Sequence, residues 1–175
     1  MSHNVNYANE LIKPRVLNNK IKLIVYDFDG VMTNNKVYID QNGNEMVLVS
    51  RADGLGISEI KKIGIKQIII STEKNAVVTA RARKLDIPCV QGIDNKKDYL
   101  IDYCKKNDIQ ILQVAYVGND INDMGVMKIV GIKICPADAH LSIINISDYV
   151  LQTKGGDGAI REIYDMIITS DKKEF

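Results

Sequence analysis

Asp27-Phe28-Asp29-Gly30 sets two carboxylates two residues apart, directly after the apolar run Leu23-Ile24-Val25-Tyr26. In extended backbone alternate side chains share a face, so Asp27 and Asp29 point together and Phe28 points away. Carboxylates that close repel unless a cation lies between them, and a hard divalent ion such as Mg2+ suits oxygen ligands. Gly30 permits a sharp exit; the competing reading is a solvated Asp-x-Asp-Gly turn. Ser71-Thr72 follows the apolar run Ile68-Ile69-Ile70. A hydroxyl and free N–H groups ahead of a helix can seat a phosphate, although Ser and Thr also cap helices of every kind. Lys96 opens a later helical stretch and, alone, reads first as a solvated surface lysine. Gly118-Asn119-Asp120-Ile121-Asn122-Asp123 follows Val114-Ala115-Tyr116-Val117, and its bland reading is an Asx-rich helix cap. Each cluster is ordinary alone. Their succession at four strand or helix ends of one chain is a stronger signal than any of them.

The elements that position these clusters follow from periodicity. Continuous apolar runs at 23–26, 68–70, 89–90, 114–117, 132–135 and 149–151 predict buried strands. Helical stretches are predicted at about 55–63, stopped by Gly64, and 75–85, capped by Asn75. Others are predicted at 96–106, 121–130, stopped by Gly131, and 158–168. Leu55, Ile57, Ile60 and Ile63 fit one face of the first. Gln41-Asn42-Gly43-Asn44 between apolar-alternating flanks predicts a hairpin. The alternation predicts an α/β fold with a parallel sheet covered by helices on both faces. In open sheets of that kind the site lies beyond the carboxyl ends of the strands, where the clusters fall. Residues 1–20 read as a polar arm with a short helix at 8–12, residues 21–170 as a single domain and 171–175 as a tail.

Composition narrows the function classes. The chain has 175 residues, 46% hydrophobic and 26% charged, which suits one folded domain. With 23 basic against 22 acidic residues it lacks the excess of a generic nucleic-acid or membrane-surface binder. No apolar run approaches the roughly 20 residues that span a bilayer. The N-terminus lacks the pattern of a signal peptide. Three widely spaced cysteines, Cys89, Cys104 and Cys135, read as reduced thiols of a cytoplasmic protein.

The motif order resembles the haloacid dehalogenase (HAD) superfamily of phosphatases, over roughly residues 22–168. More narrowly the chain is similar to the sugar-acid phosphatases. These are the 3-deoxy-octulosonate 8-phosphate and ketodeoxynononate 9-phosphate phosphatases and the phosphatase-like domain of acylneuraminate cytidylyltransferases. The phrases that carry this are Asp53-Gly54-Leu55-Gly56-Ile57, Gln91-Gly92 followed by Lys96, Val114 to Gly118, Pro136-Ala137-Asp138-Ala139 and Gly155-Gly156-Asp157-Gly158-Ala159-Ile160-Arg161-Glu162. The resemblance implies a Rossmann-like HAD fold. The gaps between the motifs leave no room for a cap domain. The protruding hairpin at 36–50 would assemble a homotetramer in which a neighbour closes the site.

The resemblance also implies roles. Asp27 would be the nucleophile and Asp29 the acid and base. Ser71 and Lys96 would bind phosphate, and Mg2+ would be held by Asp27, Asp29 and Asn119, with Asp120 and Asp123 as further ligands or supports. The octulosonate and nononate enzymes usually carry Asp where this chain has Asn119, which brings no charge to the metal. Thr72, Glu73 and Lys84 follow the nononate pattern, so a nine-carbon α-keto sugar acid phosphate is the expected substrate and the eight-carbon 8-phosphate the alternative. Arg161 is read either as binding the substrate carboxylate or as half of a buried ion pair. The rivals from other classes are a weakly catalytic tetramerisation module and a nucleotide- or phosphate-binding receiver-like domain, which leaves Asp29 and the Gly118–Asp123 stretch without a role.

Overall fold

The structure, a computed structural model, describes residues 21–171. The arm expected over 1–20, with its helix at 8–12, and the tail from 172 lie outside the described residues. Eight strands appear in chain order: β1 (Leu23–Tyr26), β2 (Thr33–Ile39), β3 (Glu45–Val49), β4 (Lys66–Ile70), β5 (Cys89–Val90), β6 (Val114–Val117), β7 (Ile132–Cys135) and β8 (Tyr149–Val150). Six helices join them: α1 (Arg51–Lys62), α2 (Val77–Leu85), α3 (Lys96–Lys106), α4 (Met124–Met127), α5 (Leu141–Ile144) and α6 (Ala159–Asp171).

Six strands form one sheet in the order β5-β4-β1-β6-β7-β8, every neighbouring pair parallel. β1, β4 and β6 read as unbroken apolar runs because both faces are covered. Alternate residues feed two cores: Ile24, Tyr26, Ile69, Ala115 and Val117 in one layer, Leu23, Val25, Ile68, Val114 and Tyr116 in the other. The polar residue that enters the core within β4 is satisfied. Gln67 accepts from the Tyr26 hydroxyl at 2.9 Å and donates to the Ile57 carbonyl at 3.0 Å. β1 sits where strand order reverses, so its carboxyl end opens into the crevice such sheets use for ligands.

The α/β class and the hairpin match the sequence expectation, and the differences have local causes. α1 starts at Arg51, because Ser50 Oγ accepts from the Ala52 N–H. Its buried face is Asp53, Gly56, Ile57 and Ile60, while Leu55 and Ile63 stay exposed. The helix expected over 121–130 breaks into a 3-10 turn, Ile121–Asp123, and the single turn α4. Asp123 turns inward to Tyr116 and Lys96, and α4 ends at Met127, before Gly131, whose close approach to the Leu112 carbonyl leaves no room for a side chain. The short α5 and a 3-10 turn at Ile111–Gln113 carry too little periodicity to be read from sequence.

β2 and β3 form a separate antiparallel ribbon. It pairs Thr33 with Val49 and Val37 with Val47, so β2 carries two extra residues between those pairs. Val47 and Val49 pack on the chain's own core, whereas Tyr38, Met46 and Leu48 on the other face are exposed. Between β1 and β4 the chain holds only this ribbon and α1, and between β4 and β6 only α2, β5 and α3 with the Ile111–Gln113 turn. Neither interval contains a cap domain.

Candidate active site

The carboxyl ends of β1, β4 and β6 converge on a cavity of about 320 Å3. It is lined by Asp27, Asp29, Asn35, Ser71, Thr72, Asn119, Asp120, Ile121 and Asn122. Asp27 continues β1, its N–H bonding the Val117 carbonyl at 2.9 Å, and its Oδ1 accepts from the Phe28 N–H at 2.8 Å. Lys96, the first residue of α3, reaches under it. Its Nζ lies 2.8 Å from Asp27 Oδ1 and 2.8 Å from Asp123 Oδ1, and none of the three residues is more than 4% exposed. Lys96 is thus a buried bridge and not the solvated lysine its lone position allowed.

Asp123 is held from all sides. Oδ1 also accepts from the Tyr116 hydroxyl at 2.8 Å, and Oδ2 from the N–H groups of Asn119 at 2.9 Å and Asp120 at 3.4 Å. A side chain at Gly118 would strike Asp123, so this glycine makes the inward turn possible. With its oxygens engaged by protein donors, Asp123 serves Lys96. Asp120 caps the turn by accepting from the Ile121 N–H at 2.7 Å.

Asp29 is half-buried and accepts from the Thr33 hydroxyl at 3.3 Å. Ser71 is buried at the end of β4, and its Oγ accepts from the Glu73 N–H at 3.0 Å. Glu73 turns its carboxylate onto the N–H groups of Lys74 at 2.6 Å and Asn75 at 2.8 Å, capping the approach to α2. Lys84 and Arg161 are not brought to this cavity within the chain. Lys84 lines a second one, of about 680 Å3, with Arg51, Lys61 and Arg81. Arg161 pairs with Asp165 at 3.3 Å across one helical turn, partly exposed, and lies over the Tyr164 ring. The buried ion pair allowed for Arg161 is therefore not what forms.

Burial sets the electrostatics. It pushes the Asp27 carboxyl well above the ordinary carboxylate range, Asp123 adds to the rise, and Lys96 opposes it. Burial pulls Lys96 down, but Asp27 and Asp123 outweigh it and hold the ammonium charged. Asp29 is also raised, chiefly by burial and against the Thr33 hydrogen bond, the direction an acid needs if it is to carry a proton.

The donor set fits a hard cation. Asn119 Oδ1 is buried with no hydrogen-bond partner, and such orphans are rare unless something outside the protein fills them. It shares the cavity with Asp27 and Asp29, so the available ligands are all oxygen. Among the described residues no group of three or more His, Cys, Asp and Glu is placed to hold a metal; here the third oxygen is an amide.

Several phrases singled out in the sequence hold the loops around the cavity. Asp53 Oδ1 accepts from the Ile160 N–H at 2.9 Å at the start of α6, and Gly56 lets α1 approach α6 closely. Asp138 accepts from the Gly155 N–H at 2.9 Å, and the Gly156 N–H donates to the Val31 carbonyl at 3.0 Å. Asn35 and Tyr116 were given no role in the sequence reading, and Thr33 and Asn122 entered it only as members of the motif phrases after β1 and β6. Neither periodicity nor spacing marks Asn35 or Tyr116 as parts of the site.

No protein-family model matches the chain. Among curated proteins it is 36% identical over 154 residues to KdsC, the 3-deoxy-D-manno-octulosonate 8-phosphate phosphatase of Escherichia coli K12, covering 87% of this chain and 82% of that protein. Among solved structures it matches one described only as a HAD family hydrolase, from Streptomyces avermitilis, with TM-score 0.84 and 46% identity over 85% of this chain and 86% of that one. It also matches the octulosonate 8-phosphate phosphatase of Moraxella catarrhalis, solved with magnesium, phosphate and KDO. There the TM-score is 0.83 and the identity 32%, over 86% of this chain and 87% of that one.

Proposed function

The chain belongs to the haloacid dehalogenase superfamily, in its capless KdsC-like branch, and from that premise we propose what its cavity does. It is a phosphomonoester hydrolase, as the motifs implied. We infer that the substrate is an α-keto sugar acid phosphate, with 3-deoxy-octulosonate 8-phosphate first. The relatives named for that substrate support this order. The expected nine-carbon preference has no such support. Glu73, on which it leaned, uses its carboxylate on backbone N–H groups, and Lys84 lines a different cavity.

The observation that carries the reading is the buried bridge from Asp123 through Lys96 to Asp27. Both contacts on Asp27 fall on Oδ1, which leaves Oδ2 for phosphorus. In the proposed reaction Oδ2 attacks, the bond from phosphorus to the sugar oxygen breaks, and Asp29 gives that oxygen its proton. An aspartyl phosphate remains on Asp27. Asp29 then takes a proton from a water that attacks phosphorus, releasing inorganic phosphate and restoring Asp27. Lys96 and Ser71 donate to the phosphate oxygens, where charge is held through both steps. Asn119 Oδ1, Asp27 and the Asp29 backbone would hold Mg2+, which when bound neutralises charge between phosphate and nucleophile.

The cavity has no cap, and the hairpin leaves Tyr38, Met46 and Leu48 exposed. Exposed apolar faces of this kind favour association, which supports the expected tetramer closing each site with a neighbour. Lys84 and Arg161, outside their own cavity, would act on substrate only across such a contact. The test is phosphate release with Mg2+ from 3-deoxy-octulosonate 8-phosphate, nononate 9-phosphates and p-nitrophenyl phosphate. The account expects kcat/KM at least about tenfold higher for the octulosonate ester than for the others. Preference for a nononate ester would restore the nine-carbon assignment, and no turnover of any ester would leave an assembly module.

A further inference from the structure

Asn35 has a backbone that few residues other than glycine adopt, with φ of 61°. It sits in the irregular stretch where β2 carries two residues more than β3. Bulges of this kind bend a strand and re-aim a side chain, and they recur beside active sites. Here the bend brings Asn35 to the wall of the catalytic cavity. One buried hydroxyl fixes its place. Thr33 Oγ1 accepts from the Asn35 N–H at 3.2 Å and the Gly30 N–H at 3.2 Å, and donates to Asp29 Oδ1 at 3.3 Å. Asn35 is therefore tied, through a single hydroxyl, to the carboxyl group that faces the leaving oxygen.

We propose that Asn35 is a specificity-determining residue whose side-chain amide hydrogen-bonds the leaving group of the substrate. The inference rests on the assignment of Asp29 as acid to that leaving group. Asp27, Ser71, Asn119 and, beneath them, Lys96 surround the phosphate end. Asn35 lines the same cavity and is linked to Asp29 through the Thr33 hydroxyl, next to the carboxyl assigned to the leaving oxygen. Asp40 and Asn44 close the hairpin tip with bonds to each other, and Asn34 Oδ1 accepts from Lys36 N–H at 3.2 Å. The Asn35 amide makes no such local bond among the described residues. Two N–H donors and a carbonyl acceptor on a neutral group match the hydroxyls and carboxylate of a polyhydroxy acid. They do so without adding charge beside Asp29.

Steady-state kinetics of Asn35→Gly and Asn35→Asp, on 3-deoxy-octulosonate 8-phosphate and on p-nitrophenyl phosphate, test this. Glycine suits the backbone, so Asn35→Gly should melt like the parent. KM for the sugar ester should rise about three- to tenfold, the loss of one hydrogen bond, while kcat/KM for the aryl ester stays within about twofold. Asn35→Asp keeps the shape but sets a charge against the anionic substrate, and should raise the sugar-ester KM at least as much. It also carries the test if the glycine variant folds poorly. An unchanged sugar-ester KM in a folded variant, or equal losses on both esters, would overturn the proposal while leaving the phosphatase reading intact. Parent protein inactive on both esters would overturn the two together.

Discussion

Gly30 and Asn119 touch so closely that a side chain on the first has no room beside the second: a Cβ at Gly30 would overlap the Asn119 amide. Gly30 also has φ of 78°, where L side chains are strained. The exit from β1 and the proposed oxygen ligand after β6 are thus fixed against each other. Gly30→Ala should push Asn119 away. The Mg2+ concentration for half-maximal phosphate release should then rise, and kcat fall at least about tenfold. Parent-like values would show that Asn119 is not held by this contact.

Asn119 brings an amide where a carboxylate would bring charge. Asn119→Asp should lower the Mg2+ concentration needed for half-maximal activity severalfold, because a charged ligand attracts the ion more strongly. The measurement is a Mg2+ titration of phosphate release. An unchanged or raised requirement would point to Asp120 as the ligand, since Asp123 is already committed to Lys96 and Tyr116.

The strand ends were legible because each carboxylate or hydroxyl follows an unbroken apolar run, and such runs are buried on both faces. Asp27, Ser71 and Asn119 were found that way. The support around them was not legible. Tyr116 alternates like any core residue, and nothing in spacing says that its hydroxyl meets Asp123. Asn35 lies just before the hairpin expected over 36–50, and the two extra residues that bend β2 there are set by its partner's register, which the sequence does not display. Asp53 looks like a charged residue on a helix, yet it is buried and caps a helix more than a hundred positions away. The helix expected over 121–130 failed for a related reason: the bonds that Lys96 and Tyr116 make to Asp123 outweigh local periodicity.

Asp53 gives a pH prediction. Burial raises its carboxyl to about 6, although the Ile160 N–H and Arg81 oppose the shift, and Oδ2 has no partner. A carboxyl raised on folding binds its proton more tightly in the folded state. Its contribution to stability is therefore present below the unfolded value near 4 and is lost as pH rises through about 6. Asp53→Asn keeps an acceptor for Ile160 without the titration. Relative to the parent, it should gain up to about 3 kcal/mol between pH 4 and 7, by urea unfolding. A constant difference across that range would contradict the assignment.

The hairpin prediction follows from which face is free. Val47 and Val49 pack on their own domain, so Met46 and Leu48 are the positions to charge. Met46→Lys with Leu48→Lys should reduce the assembly to monomers by light scattering. Activity on the sugar-acid ester should fall at least about tenfold more than on p-nitrophenyl phosphate, because water enters the open site. A monomeric parent, or monomeric variants with full sugar-ester activity, would refute it.

The nucleophile is tested most directly by Asp27→Asn, assayed for phosphate release with Mg2+ and for a covalent phosphate by intact mass after rapid acid quench. The parent should turn over and trap one phosphate on the chain, and the folded variant should show no adduct and below about 1% of the parental kcat. A folded variant that keeps a tenth or more of the activity, roughly the loss of a single supporting interaction and not of the attacking atom, would contradict the aspartyl-phosphate mechanism.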